Sequence, residues 1–185
     1  MLAPDTVPWV TFTVPAGWLG KVGGPNAVFL ARADGRGEMA FSFFEKVYAD
    51  PCHYQGALDP PPGPSVDDLA TTLASLPGLD VTTPADVTVS GYRGKQLTLT
   101  APASFADCTL SPDGSFRVWE LPLGATNDLQ PGQRDPVWIL DVEGQRLVID
   151  AAEQPGMTAE DKAEVQAILD SIRLEPGNTP TPSPS

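Results

Sequence analysis

The chain has 185 residues, of which 41% are hydrophobic, and its formal net charge is −13. That apolar content suffices for the core of one domain, and no apolar run reaches the roughly 18 residues of a transmembrane helix. Such an acidic surface repels phosphate and anionic lipid, which excludes nucleic acid as a partner, and the charge favours plain solubility over an acidic Ca²⁺ site. Because the first residues, MLAPDTVPWV, show no signal-peptide pattern, any signal or membrane tether is expected outside this chain.

The first elements in chain order are a lead-in and a strand. Residues 1–7 are predicted to be unstructured. Trp9 to Val14 alternates in the manner of a strand, and Pro15-Ala16-Gly17 then turns the chain sharply. The glycine-rich stretch from Gly20 to Pro25 predicts a flexible loop.

Two apolar segments then predict a hairpin. The strands are Ala27 to Ala33 and Glu38 to Val47, and the loop between them, Asp34-Gly-Arg-Gly37, has four residues. That loop length pairs Leu30 with Phe41. Because both faces of the hairpin are largely apolar, we expect it to lie centrally in the sheet and to be covered on both sides.

A long irregular loop follows from Tyr48 to Pro64, and it holds Cys52, His53 and Tyr54. The two cysteines of the chain, Cys52 and Cys108, are even in number and form no CxxC motif. A disulfide is the preferred interpretation, and it would stabilise the fold by about 4 kcal/mol because it closes a long loop. Two buried free thiols are the main alternative. A zinc site is disfavoured, since His53 would supply only a third ligand.

The sequence after this loop predicts a helix. Ser65 is a suitable N-cap, and Asp67 and Asp68 suit the positive end of the helix dipole. The apolar residues at helical spacing predict its buried stripe: Val66, Leu69, Ala70, Leu73 and Leu76. Pro77-Gly78 ends the helix.

Asp86 to Ala101 predicts a second hairpin with two possible registers. A five-residue loop from Gly91 to Lys95 pairs Val89 with Leu97, whereas a four-residue loop places Val89 opposite Gln96. We prefer the five-residue loop because a slip of one residue moves every side chain to the other face.

The middle of the chain predicts loops around one strand. Ala103 to Gly114 is a loop that carries Cys108, Ser115 to Leu121 is a strand that contains Trp119, and Gly124 to Pro136 is a polar loop.

The clearest local pattern begins at Pro136. A two-residue turn at Glu143-Gly144 fixes a hairpin, and it makes Asp141 and Arg146 an opposite-charge pair across the strands. The register also gives three apolar pairs: Trp138 with Ile149, Leu140 with Leu147, and Ile139 with Val148.

A second helix follows this hairpin at residues 158–170. Thr158 can cap it together with Asp161, and the predicted buried stripe consists of Val165, Ile168, Leu169 and Ile172. Ser171 to Glu175 then leads into a short strand. Residues 177–185, rich in Pro, Thr and Ser, predict an extended tail or linker of the kind found in stalks of exported proteins.

This order of elements predicts an α+β fold, an antiparallel sheet of about six to eight strands with helices packed on it. Four segments, FTVPAGW at 12–18, VTVSGYRG at 87–94, residues 137–150 and AILDSIRLE at 167–175, resemble the PsbP-like α/β/α sandwich superfamily. The similarity is greatest to extracytoplasmic actinobacterial envelope proteins, including lipoproteins of the LpqN type. It implies one domain at residues 8–176 that serves in binding or assembly, and it brings no catalytic residue with it.

The sequence contains no recognisable catalytic motif. His53 is the only histidine, no GxSxG motif occurs, and no glycine-rich stretch matches a phosphate-binding loop. No calcium loop is present, and the sequence predicts neither a cofactor nor a metal. His53, Tyr54 and Trp119 are the candidates for ligand binding, although each tryptophan is more typical of core packing.

Three functions remain open at this point. The first is a non-enzymatic binding, sensor or assembly module of a bacterial cell envelope, whose partner is a small ligand, a glycan or an envelope protein. The second is a hydrolase that uses carboxylates, and the third is a spacer domain without a ligand. We expect a monomer outside the cytoplasm, an inference that depends on the disulfide, the tail and the resemblance.

Overall fold

The computed structural model describes residues 9–22, 27–43, 46–121 and 124–175. The predicted lead-in at 1–7 and the predicted tail at 177–185 lie outside the described residues. Two helices are described, α1 (Val66–Ala74) and α2 (Ala159–Ser171). The strands are β1 (Trp9–Thr11), β2 (Trp18–Val22), β3 (Ala27–Arg32), β4 (Gly37–Ser42), β5 (Lys46–Val47), β6 (Asp80–Val81), β7 (Ala85–Val89), β8 (Tyr92–Thr100), β9 (Phe116–Glu120), β10 (Thr126–Leu129), β11 (Arg134–Val142), β12 (Gln145–Glu153) and β13 (Arg173–Glu175).

An eight-stranded antiparallel sheet, the main sheet, organises the fold. Its order is β2-β3-β4-β12-β11-β8-β6, and β7 also pairs with β8. The predicted α+β class and the predicted number of strands are therefore confirmed. Neither described helix is long and apolar enough to cross a membrane.

The two faces of the main sheet carry different layers. On the α1 face, α1 packs against β8, β11 and β12 together with a small three-stranded sheet, β10-β9-β5. On the α2 face, α2 and the pair β1-β13 cover β3, β4, β11 and β12. Alternation along β11 explains the division, because Val137 and Ile139 point to one cluster while Leu140 and Val142 point to the other.

The C-terminal hairpin and its helix have the predicted structure. Trp138 lies opposite Ile149, and Leu140 lies opposite Leu147. Thr158 and Asp161 form a reciprocal capping box at the start of α2. The predicted stripe of α2 is buried.

The predicted charge pair between Asp141 and Arg146 is not formed. Asp141 and Arg146 are cross-strand neighbours, but Asp141 Oδ1 accepts a hydrogen bond from the Gly144 N–H at 2.9 Å. Arg146 donates instead to the carbonyl oxygen of Gly63 at 2.6 Å. Instead of pairing with each other, Asp141 stabilises the turn at Glu143-Gly144 and Arg146 binds the end of the segment before α1.

The predicted register of the first hairpin is wrong by two residues. Leu30 pairs with Met39, not with Phe41. A slip of two keeps each side chain on its face, so Leu30 is still buried. The second predicted strand also divides, because β4 ends at Ser42 and Lys46 begins a strand of the three-stranded sheet.

The second hairpin turns in two residues, so the preferred five-residue loop is wrong. Ser90 and Gly91 both have positive φ, 51° and 86°, which is the geometry of a tight hairpin turn. Val89 consequently faces Tyr92, and Val87 faces Gly94. Two predicted loops also contain strands: β2 occupies part of Gly20 to Pro25, and β10 lies within Gly124 to Pro136.

Candidate functional site

The irregular segment at residues 48–64, here called the Cys52 loop, is held in one conformation by several contacts. Cys52 forms a disulfide with Cys108, and their Cα atoms lie 4.7 Å apart. The carboxylate of Asp50 accepts hydrogen bonds from the N–H groups of Cys52 at 3.0 Å and of His53 at 2.7 Å. The N–H of Tyr54 donates to the carbonyl of Thr109 at 3.0 Å. The loop is therefore ordered in spite of its length.

The candidates proposed from sequence take different positions around this loop. The His53 side chain is 59% exposed, and its Nδ1 lies 3.4 Å from Asp50 Oδ2. The Tyr54 ring is half-buried and lies 5.6 Å from the ring of Tyr48. Trp119 has no exposed surface, so it belongs to the core and no ligand can stack on it in this conformation.

Charged groups near the base of the loop are paired with one another. The Tyr48 hydroxyl donates to Glu120 at 2.9 Å, and Lys46 bonds the same carboxylate at 2.8 Å. Burial, together with the hydrogen bond to Glu120, raises the pKa of Tyr48. Arg117 bonds Asp128 at 3.1 Å. The Tyr48–Glu120 hydrogen bond thus ties the start of the loop to the three-stranded sheet, and the Lys46 and Arg117 ion pairs lie within that sheet.

Beside the loop lies a surface groove with a volume of about 470 Å³, here called the Pro-rich groove. One wall comes from the loop and the other from the outer face of α1. The lining residues are Leu58, Pro60, Pro61, Pro62, Gly63, Asp67, Asp68, Thr71, Thr72 and Ser75. Its volume is within the range of small-molecule sites.

Both walls of the groove are fixed from below. Arg146 of β12 donates to the carbonyl oxygens of Gly63 at 2.6 Å and Ser65 at 3.1 Å, which ties the end of the loop to the main sheet. Ser65 and Asp68 form a capping box that starts α1. Gly78 lies against Cys52, where a Cβ on Gly78 would come within 2.6 Å of the Cys52 Cβ. A glycine is thus required for α1 and the loop to approach so closely.

A second notable cluster lies in the interior, between the main sheet and the three-stranded sheet. Here called the acid centre, it consists of Asp135 on β11, Asp150 on β12 and Asn127 on β10. Asp135 has no exposed surface and Asp150 has 5%. The Asn127 amide nitrogen donates to Asp135 at 3.1 Å and to Asp150 at 3.4 Å.

Within the described residues, the acid centre has fewer hydrogen-bond donors than acceptors. Among the described residues, Oδ1 of Asp135, Oδ1 of Asp150 and Oδ1 of Asn127 have no hydrogen-bond partner. Burial raises the pKa of Asp135 to about 7. Burial and the neighbouring Asp135 raise the pKa of Asp150 well above its usual value. Two carboxyls in such a site cannot both be ionised near neutral pH.

The acid centre was not found from the sequence, although part of its signal was present. Since Ile139 faces Val148, the same register places Val137 opposite Asp150, and so an acidic residue occupies a core-facing position. Asn127 gave no signal, because its strand was predicted to be loop. In the part of the chain that the structure describes, no group of three or more His, Cys, Asp or Glu side chains is placed to hold a metal ion.

No family model matches the sequence, and no curated protein matches it. A crystal structure from Bacteroides thetaiotaomicron VPI-5482 is similar with 8% identity and a TM-score of 0.45, over 93% of this chain and 46% of that one. The chain thus spans about half the length of that protein.

LpqN, involved in cell envelope biogenesis of Mycobacterium tuberculosis, is similar with 10% identity and a TM-score of 0.43, over 92% of this chain and 86% of that one. The likeness amounts to a distant structural relationship. At this level of similarity no function is carried over to this chain.

Proposed function

We propose that this chain is a non-enzymatic binding module of the cell envelope and that the Pro-rich groove is its ligand site. The observation that carries the proposal is the disulfide between Cys52 and Cys108, which holds one wall of the groove in place. A pre-ordered loop loses little conformational freedom when a ligand binds, so more of the contact energy appears as affinity. Disulfides persist in oxidising compartments, which supports a location outside the cytoplasm.

The groove suits a hydroxyl-rich or cationic ligand. Asp67 offers a carboxylate that is 77% exposed and whose Oδ1 lies 3.5 Å from Lys95 Nζ, and Thr71 is exposed on the same helix face. The three prolines offer apolar rings beside these polar groups. Soluble glycans are therefore the first class of ligand to examine, and small metabolites and peptides of envelope proteins are the next.

The hydrolase alternative receives less support from the site. The carboxyl pair with strongly shifted pKa values, Asp135 and Asp150, is sealed from solvent, so a substrate cannot reach it in this conformation. Cys52, next to His53, is bound in the disulfide and cannot serve as a nucleophile. The exposed His53 side chain contacts Asp50, and the Asp50 carboxylate is itself bonded to the backbone N–H groups of the Cys52 loop.

A thermal-shift screen tests the proposal, with soluble oligosaccharides, common metabolites and basic peptides as separate sets of probes. A probe that binds only the folded chain and is present at about 100 times its Kd stabilises it by about 2.7 kcal/mol. Thr71→Trp, which fills the groove, should abolish the shift. Ala163→Trp adds the same bulk to an exposed position of α2 and should leave the shift unchanged. A shift that survives Thr71→Trp would place the ligand elsewhere, and no shift with any probe would favour the spacer domain.

A further inference from the structure

The acid centre joins two separate layers of the molecule. Asp135 and Asp150 belong to the main sheet, whereas Asn127 belongs to the three-stranded sheet. The two bonds from the Asn127 amide are thus polar links across the boundary between the sheets. Ser42 of β4 lies on the same face, because it is two residues from Ala40, which pairs with Asp150. The hydroxyl of Ser42 is buried and has no partner among the described residues.

The balance of donors and acceptors at this boundary requires a proton. The Asn127 amide supplies hydrogens to one oxygen of each carboxyl, and three acceptor oxygens find no donor in the described part of the chain. A buried acceptor without a partner is costly, and a buried charge without a counter-charge is costlier. A proton on a carboxyl removes a charge and supplies an O–H donor at once.

Charged neighbours do not relieve the pair. Glu38 of β4 and Glu153 of β12 are acidic and act against ionisation of the centre. The bases on the adjoining elements are already engaged. Arg134 and Lys162 both bind Glu153, at 2.9 and 2.7 Å, and Arg117 binds Asp128 of β10.

We propose that the acid centre is a proton-operated latch that keeps the three-stranded sheet docked on the main sheet while it holds its proton. When the proton leaves, two negative charges face each other in a dry boundary. Hydration of these charges requires the boundary to open, and the moving part is the three-stranded sheet. Because β5 leads directly into the Cys52 loop, opening also loosens the base of that loop. The inference does not depend on the Pro-rich groove being a ligand site.

The sign of the pH effect follows from linkage. The closed state binds a proton that the open state releases, so opening becomes easier as the pH rises. Between about pH 4 and about pH 7 the opening constant should rise about tenfold per pH unit for each proton released, and it should level off above that range.

Two measurements on the intact chain test the latch. A carbon-13 NMR titration of the wild-type carboxyls should show at least one of Asp135 and Asp150 still protonated near pH 6, well above the ordinary aspartate pKa of about 3.9. Amide hydrogen exchange at β9 and β10, corrected for intrinsic rates, should lose about 100-fold protection between about pH 5 and about pH 7, and β3 should lose less. Ordinary titration of both carboxyls would overturn the proposal even without any variant.

Variants separate the latch from a general pH effect. The double variant Asp135→Asn and Asp150→Asn has no proton to release, so protection at β10 should not depend on pH. Asp80→Asn, an exposed acid on β6, should keep the wild-type dependence. An unchanged pH dependence in the double variant would contradict the latch. Restoration of protection at high pH by added Ca²⁺ would assign the centre to a metal ion instead.

Discussion

On the α2 face of the main sheet the charged side chains meet opposite charges, whereas beneath the three-stranded sheet Asp135 and Asp150 share one neutral amide. At the α2 rim, Asp161 lies 3.4 Å from Arg32 and 3.2 Å from Arg36. The Trp18 indole donates to Glu164 at 2.8 Å. This rim fastens the β3-β4 hairpin to the start of α2.

The difference has a consequence for pH dependence. A hydrogen bond from the Thr158 backbone lowers the pKa of Asp161, and nearby Arg36 and Arg32 lower it further. Stability from such a group is present above the ordinary aspartate pKa and is lost as the pH falls. In the acid centre the shift is opposite, so its stability is lost as the pH rises toward neutrality. The ion pairs at the α2 rim therefore stabilise the fold most at neutral pH, and the acid centre stabilises it most at mildly acidic pH.

The largest expected change in stability comes from removing the disulfide on the α1 face. Replacing both Cys52 and Cys108 with Ala should lower the free energy of unfolding by about 4 kcal/mol, since the disulfide closes a loop of 56 residues. Urea denaturation followed by circular dichroism measures the change. Reduction of the wild-type chain serves as the matched control and should produce a similar loss. Equal midpoints with and without reductant would show that the disulfide contributes little.

The next effect distinguishes the two faces by the sign of their pH dependence. Burial moves the pKa of Asp135 from an ordinary 3.8 to about 7. The neutral variant Asp135→Asn should therefore be more stable than wild type at about pH 8, where the wild-type carboxyl would carry a buried charge. The advantage should shrink as the pH falls toward about 4, where the wild-type carboxyl is protonated anyway. Denaturation midpoints across this range measure it, and Asp80→Asn controls for the loss of one negative charge. A variant less stable than wild type at every pH would mean that the carboxylate is satisfied as an anion.

The smallest effect compares the two helices directly. Ser65→Ala and Thr158→Ala each remove an N-cap of the same design, and each should cost about 1 kcal/mol. Their functional effects should differ, because α1 forms a wall of the Pro-rich groove and α2 does not. A probe found in the thermal-shift screen should bind less tightly to Ser65→Ala and equally well to Thr158→Ala. Equal weakening in both variants would remove the groove as the ligand site.

Prediction from sequence was accurate where a turn and an apolar period acted together. Glu143-Gly144 has positive φ at both residues, 57° and 79°, and only one register is compatible with such a turn. It was inaccurate where loop length had to be guessed. Gly91 and Gly94 lie close together there, so the predicted loop was placed from Gly91 to Lys95 and the two-residue turn Ser90-Gly91 was missed.

One part of the candidate site was located from the sequence and another part was not. The Cys52 loop was located correctly because proline, glycine and cysteine content is a local property. The wall of the groove that α1 forms was not predicted, since an exposed hydroxyl such as that of Thr71 does not by itself indicate a binding site. Trp119 lies in the core, the position that the sequence favoured for each tryptophan, although this residue type also suits a ligand platform.

The sequence by itself determined the two N-caps, the C-terminal hairpin, the buried stripe of α2 and the antiparallel α+β class. These depend on turns, caps and periodicity within a few residues of each other. Tertiary structure alone decided that β5, β9 and β10 form a separate small sheet, and that this sheet brings Asn127 to Asp135 and Asp150. The physical reason is that burial and a shared proton depend on what packs above a residue, and that packing is set by segments distant in the chain.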